Sequence, residues 1–143
     1  MENRPSFVTS LLAINKLGAI GVLINTSLTG APLVHCINTS DSKKCIFGDE
    51  LSNSLEGVLD EINITQSSDL LWVEDTNSNN CPEWASNIKD GLDQSKSSNL
   101  DETNKVVAGD TAFYIFTSGT TGVPKAALFP NVKVVAGLSL IHI

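Results

Sequence analysis

Four short runs of this sequence are apolar almost without interruption: AIGVLIN at residues 19–25, KCIF at 44–47, LLWV at 70–73 and TAFYIF at 111–116. A strand with one wet face alternates apolar and polar residues, whereas a strand covered on both faces does not. Between these runs the apolar residues recur at helical spacing. Strands buried on both faces and separated by helices imply an α/β chain, part of a doubly wound parallel sheet with helices on either side.

The helical segments have recognisable ends. Asn3 stands as an N-cap, Pro5 occupies the first turn, and Phe7, Val8, Leu11, Leu12 and Leu17 mark one face as far as Gly18. A second helix is expected from Gly30-Ala31-Pro32 to the polar cluster NTSDSKK. A third is expected from Leu51 to Ile62, with Asp49 as its cap and Leu55, Val58 and Leu59 on its inner face. Residues 75–106 read as a long polar surface loop carrying one short helix around Trp84 to Ile88. Trp72 reads as core and His35 as a packed helix residue. Trp84 is either a surface residue awaiting cover or a local anchor.

Composition removes several classes of function. With 16 acidic and 9 basic residues the formal charge of the 143-residue chain is -7, which argues against a general affinity for nucleic acid or anionic lipid. The stretch Leu11 to Asn25 is broken by Lys16 and Gly18, and it is shorter than the roughly 20 apolar residues of a spanning helix. MENRPSF does not read as a secretory signal. Cys36, Cys45 and Cys81 form no C-x-x-C pattern, and with two histidines no metal-ligand cluster is expected. Acceptor patterns for glycosylation at Asn25, Asn38 and Asn63 carry little weight in a chain so rich in Asn and Ser. Asp49, Glu50, Glu56, Asp60 and Glu61 read as a solvated helix face and not as paired carboxylates, and no catalytic residue stands out.

One segment carries chemistry. Directly after TAFYIF comes TSGTTGVPK, residues 117–125. A phosphate chain needs closely approaching backbone N–H groups, neutral hydroxyl donors and a cation. Gly119 and Gly122 allow the approach, Thr117, Ser118, Thr120 and Thr121 can donate, Lys125 supplies charge, and Pro124 stiffens the exit. The acidic residue nearest before the loop is Asp110, so a local field favouring an anion survives the net negative charge. Neither G-x-x-x-x-G-K-[ST] nor G-x-G-x-x-G is present.

YIFTSGTTGVPKAA resembles the signature loop of the adenylate-forming (AMP-binding) superfamily, which includes acyl-CoA synthetases, luciferases and peptide-synthetase adenylation domains. ENRP, KLGAI, LIN, PL.HC and IFG narrow the resemblance to the fatty acid transport proteins, or very long-chain acyl-CoA synthetases, from Glu2 to about Leu128. Leu23 favours this branch over others that carry proline there.

The resemblance implies that residues 1–143 are a partial AMP-binding (adenylation) domain, an internal fragment truncated at both ends. It implies ATP, Mg2+, a long-chain or very long-chain fatty acid and CoA as cofactors and substrates of the parent enzyme. It further implies nucleotide contacts at Thr117, Ser118, Gly119, Thr120, Thr121, Gly122 and Lys125, and inactivity of the fragment alone. The implied parent is membrane-associated, at the endoplasmic reticulum or plasma membrane, through parts absent here, with this domain cytosolic. Residues 129–143 form a tail that departs from the family pattern: the family commonly has a histidine near the position of Asn131. A non-catalytic truncated product, a partial coding sequence and an adenylating enzyme for another carboxylate remain as alternatives.

Overall fold

The computed structural model describes residues 1–74, 80–117 and 124–140, the last three as backbone only. The chain divides into two units: Met1–Arg4 with Asn25–Ser97, and Pro5–Ile24 with Ser98–Ile143.

In the second unit, helix α1 (Pro5–Lys16) is stopped by Gly18 at φ 70. The Gly18 N–H donates to the Asn15 carbonyl and the Ala19 N–H to that of Ile14, the pair of bonds that satisfies the last carbonyls of a helix when the residue after its cap is left-handed. Strand β1 (Gly21–Leu23) follows at once. A Cβ on Gly21 would lie 2.9 Å from Leu11 Cδ1, so glycine lets α1 cross close over the strand.

The apolar runs of the first unit form strands as expected, but the third helix, expected from Leu51 to Ile62, is helical only over Ser52–Glu56. Helix α2 (Gly30–Thr39) buries Leu33, Cys36 and Ile37, the i, i+3, i+4 stripe of one face. Strand β2 (Cys45–Gly48) runs into a 3-10 turn, Asp49–Leu51, and a short helix α3 (Ser52–Glu56). Strand β3 (Leu70–Val73) lies parallel to β2, with Phe47 opposite Trp72. Strand β4 (Ser86–Asn87) adds a third parallel member, and helix α4 (Ile88–Asp93) is capped by the Asn87 side chain accepting the Lys89 N–H at 3.0 Å. The short helix expected around Trp84 to Ile88 therefore begins only where that stretch ends, because Ser86 and Asn87 are drawn onto the edge of β3. Trp84 is the local anchor: its ring stacks on Phe47 at 5.3 Å.

Two expectations about the acidic residues need correction. Leu51, not Asp49, stands at the N-cap of α3, and Gly48 at that of the 3-10 turn before it; Asp49 is buried with its carboxylate accepting Trp72 Nε1–H at 3.2 Å. Glu50 is only 17% exposed at its side chain and pairs with Arg4 Nη2 at 3.0 Å, while its other oxygen accepts the Glu2 N–H at 2.7 Å. Both follow immediately on a buried strand, so they turn back onto the end of the sheet instead of joining a wet helix face. Asn38 also has a structural use: its amide donates to the Glu61 carbonyl and accepts the Asn63 N–H.

The rest of the second unit begins with a 3-10 turn, Asp101–Lys105, and continues into strand β5 (Thr111–Thr117). β5 pairs in parallel with β1 and antiparallel with strand β6 (Lys125–Pro130), giving the order β1-β5-β6. Helix α5 (Asn131–Leu140) follows. Strand β6 and helix α5 were not expected from sequence. β6 carries exposed Ala126, Ala127 and Leu128 in succession, so it shows neither alternation nor a buried run.

Candidate functional site

The hydroxyl- and glycine-rich segment connects the two strands of the β5–β6 hairpin. Ser118, Gly119, Thr120, Thr121 and Gly122 lie outside the described residues; Thr117 and Lys125 form the neck that holds them. These two are direct cross-strand partners, and the Thr117 hydroxyl donates to the Lys125 carbonyl at 3.4 Å. Directly opposed residues of an antiparallel pair share a face, with Cβ atoms roughly 5 Å apart. Lys125 is exposed, so its ammonium is free to meet an anion from solution.

The neck sits at the carboxyl end of β5, and β1, parallel to it, ends at the same edge. In open α/β sheets ligands bind beyond that edge. The hairpin's acidic residue, Asp110, precedes the other end of β5, roughly 20 Å away at about 3.3 Å per residue. That spacing leaves the Lys125 end without an adjacent carboxylate along the hairpin.

On the face shared with Thr117 and Lys125, two positions further along each strand and again beyond, Phe113 and Phe129 stack at 5.3 Å with their rings 9° from parallel. Lys133 Nζ stands 5.4 Å from the Phe129 ring centroid. The hairpin thus has aromatic packing with Lys133 over it at one end and Lys125 opposite Thr117 at the other.

The thiols do not offer nucleophiles. Burial pushes Cys45 up to about 11 and also raises Cys36 and Cys81, so each is a protonated thiol near neutrality. His35 Nδ1 is 3.4 Å from the Thr39 hydroxyl one turn along α2. His142 lies outside the described residues. Among the described residues no group of three or more His, Cys, Asp or Glu side chains could hold a metal ion.

The sequence profile of the family described as AMP-binding enzyme matches residues 1–142. This chain belongs to that family. Long-chain fatty acid transport protein 6 of Mus musculus is 31% identical over 140 residues, covering 96% of this chain and 22% of the relative. The medium/long-chain-fatty-acid–CoA ligase FadD6 of Mycobacterium tuberculosis is 32% identical over 134 residues, covering 92% and 20%. The chain therefore spans about a fifth of the length of these relatives. Among solved structures, the anthranilate CoA ligase AuaEII in complex with anthranoyl-AMP matches with a TM-score of 0.76 at 21% identity, over 90% of this chain and 23% of that one. At that identity the likeness establishes the fold: this AMP-binding chain has the architecture of part of an adenylate-forming enzyme's N-terminal domain.

Sequence reasoning missed the hairpin and the residues that close it at its other end, Asp110 and Asn131. The one local hint of a hairpin was the glycine-containing connection after β5, but it is longer than the two to five residues that make such a hint strong, and β6 itself carries no strand pattern.

Proposed function

We propose that this chain carries the triphosphate-holding hairpin of an enzyme that activates a long-chain or very long-chain fatty acid with ATP. In that reaction a carboxylate oxygen attacks the α-phosphorus, the P–O bond to pyrophosphate breaks, and the acyl-adenylate forms; the CoA thiol then takes the acyl group and AMP leaves. The observation that carries this reading is the neck of the hairpin. It sets one exposed cation opposite a threonine at the carboxyl end of a parallel strand, with the hydroxyls and glycines of residues 118–122 strung between them. The names of the relatives support the substrate class.

Lys125 would neutralise charge on the β- and γ-phosphates, and the hydroxyl and backbone N–H groups of Ser118 to Gly122 would orient them, so that the α-phosphorus is presented in line. Thr117 has a different part: its hydroxyl is spent on the Lys125 carbonyl, closing the neck. Among the described residues no group of three or more His, Cys, Asp or Glu could hold a metal ion, and Mg2+ enters only through the resemblance to the family. CoA enters only through the resemblance to the family. A membrane-associated setting for the longer protein, with this segment on the cytosolic side, rests on the relatives named as transport proteins; no helix among the described residues is long and apolar enough to cross a membrane.

The test is a chimera in which residues 1–143 replace the matching segment of the mouse relative. Lys125→Ala should lower kcat/KM for ATP by about tenfold or more, the scale of a hydrogen bond to a charged group, and leave fatty acid binding nearly unchanged. Thr120→Ala and Thr121→Ala should each act in the same direction. Unchanged ATP dependence in all three variants would remove the phosphate reading. The isolated 143-residue chain should show no fatty-acid-dependent ATP–pyrophosphate exchange, because holding phosphates does not by itself position a carboxylate for attack.

A further inference from the structure

The end of the β5–β6 hairpin remote from the loop is tied by a small set of bonds between residues far apart in sequence. The Asn131 N–H donates to the Asp110 carbonyl at 2.9 Å, and the Val132 N–H to that of Ala108 at 2.9 Å. The Asn131 side-chain amide donates to the Val107 carbonyl at 3.2 Å, and an Asp110 carboxylate oxygen accepts the Val107 N–H at 2.9 Å. The Asp110 N–H returns to the Val107 carbonyl at 3.1 Å. Asp110 thus shapes the turn that presents its carbonyls, and Asn131 docks on it.

The clasp lies next to an irregularity in the pairing. Thr111 is opposite Pro130 but Phe113 is opposite Phe129, so Ala112 is an extra residue on β5, and it is wholly buried. Such a bulge sets the pairing of everything beyond it. Register is strongly specified where one face of a strand is buried and weakly where neither is, and a slip of one residue moves every side chain to the opposite face. β6 is of the weak kind, with neighbouring Ala126, Ala127 and Leu128 all exposed. Burial alone therefore does not decide on which face Lys125 emerges.

We infer that Asn131 is a positioning residue: with Asp110 it clasps the base of the hairpin beyond the Ala112 bulge, pinning the register that sets Lys125 opposite Thr117 at the neck. The connection to phosphate rests on the function proposed above; the connection to register does not.

The experiment measures amide hydrogen exchange and cross-strand proton contacts on the labelled 143-residue chain, together with its affinity for inorganic tripolyphosphate. The variants are Asn131→Ala, Asp110→Ala and Asn131→Asp, which keeps the shape of asparagine but loses the donor. Each should speed exchange of the β6 amides about fivefold, the factor corresponding to one net hydrogen bond, weaken the Thr117–Lys125 contact and leave β1 amides unchanged. Tripolyphosphate binding should weaken by a similar factor when Lys125 is present and by none in a Lys125→Ala background, because the clasp acts through the placement of that cation. Unchanged β6 exchange in all three variants, or an equal acceleration throughout β1 and β5, overturns the clasp. An equal loss of binding with and without Lys125 also overturns it. If Lys125→Ala alone leaves tripolyphosphate binding unaltered, the phosphate reading fails, and the exchange data still decide the clasp.

Discussion

The two units of this chain handle apolar surface in opposite ways. Among the described residues, the buried apolar side chains Leu33, Cys36, Ile37, Phe47, Leu55, Val58, Ile62, Ile64, Leu70 and Trp72 all belong to the unit formed by Asn25–Ser97 and the first four residues. The unit that carries the hairpin contributes only Ala112. Large apolar side chains left exposed show the reverse: Val8, Leu12, Leu17, Ile20, Leu100, Val107, Leu128, Val132 and Val135 lie in the hairpin unit, and Leu92 alone in the other. The first unit has a core of its own. The second carries the hairpin of the proposed phosphate site on strands and helices with many exposed apolar side chains, a pattern that marks interaction surfaces. Stability and proposed function are therefore carried by different parts of one short chain.

The largest expected effect tests the core side of that contrast. Phe47→Ala removes a side chain that is 1% exposed and stacks on Trp84, and it should destabilise the first unit by about 3–5 kcal/mol. Denaturant unfolding followed by tryptophan fluorescence measures it; a loss below about 1 kcal/mol would mean that this core is not closely packed.

A second effect depends on pH. Burial raises the Cys45 thiol from 9.0 to about 11, so between those values the unfolded chain has released a proton that the folded one retains. The contribution is complete below pH 9 and declines as pH rises towards about 11, by an amount on the order of 2–3 kcal/mol at most. Unfolding measured across that window should show the decline, and Cys45→Val should flatten it. The same slope in both proteins would assign the pH dependence elsewhere.

Trp72→Phe sharpens the comparison by retaining most of the core volume while removing the Nε1–H donor to the buried Asp49 carboxylate. A loss of about 1–3 kcal/mol is expected, because a buried acceptor forfeits one of its bonds. Chemical denaturation of the two proteins checks it, and equal midpoints would show that this bond contributes nothing.

The smallest effect lies in the hairpin unit. Leu128 is 61% exposed, and Leu128→Ser should change stability by less than about 0.5 kcal/mol while reducing binding of a hydrophobic dye and raising solubility. A stability loss comparable to that of Phe47→Ala would erase the distinction between the two units.

The sequence by itself determined the strands β1, β2, β3 and β5, because a run covered on both faces is apolar without alternation and announces its burial locally. It determined α1 and α2 and their glycine or polar stops, and it singled out residues 117–125, whose hydroxyls, glycines and lysine carry the phosphate proposal. What only the tertiary structure decided were relations between distant residues. Asp49 looked like a cap because capping is local, yet its position after β2 buries it against Trp72, 23 residues away. β6 was invisible because it is exposed, and an uncovered edge strand has no burial pattern to imprint. The bulge at Ala112 and the joining of Asp110 to Asn131 depend on hydrogen bonds between backbone groups, which every residue possesses. No periodicity of side chains records which of those groups will meet.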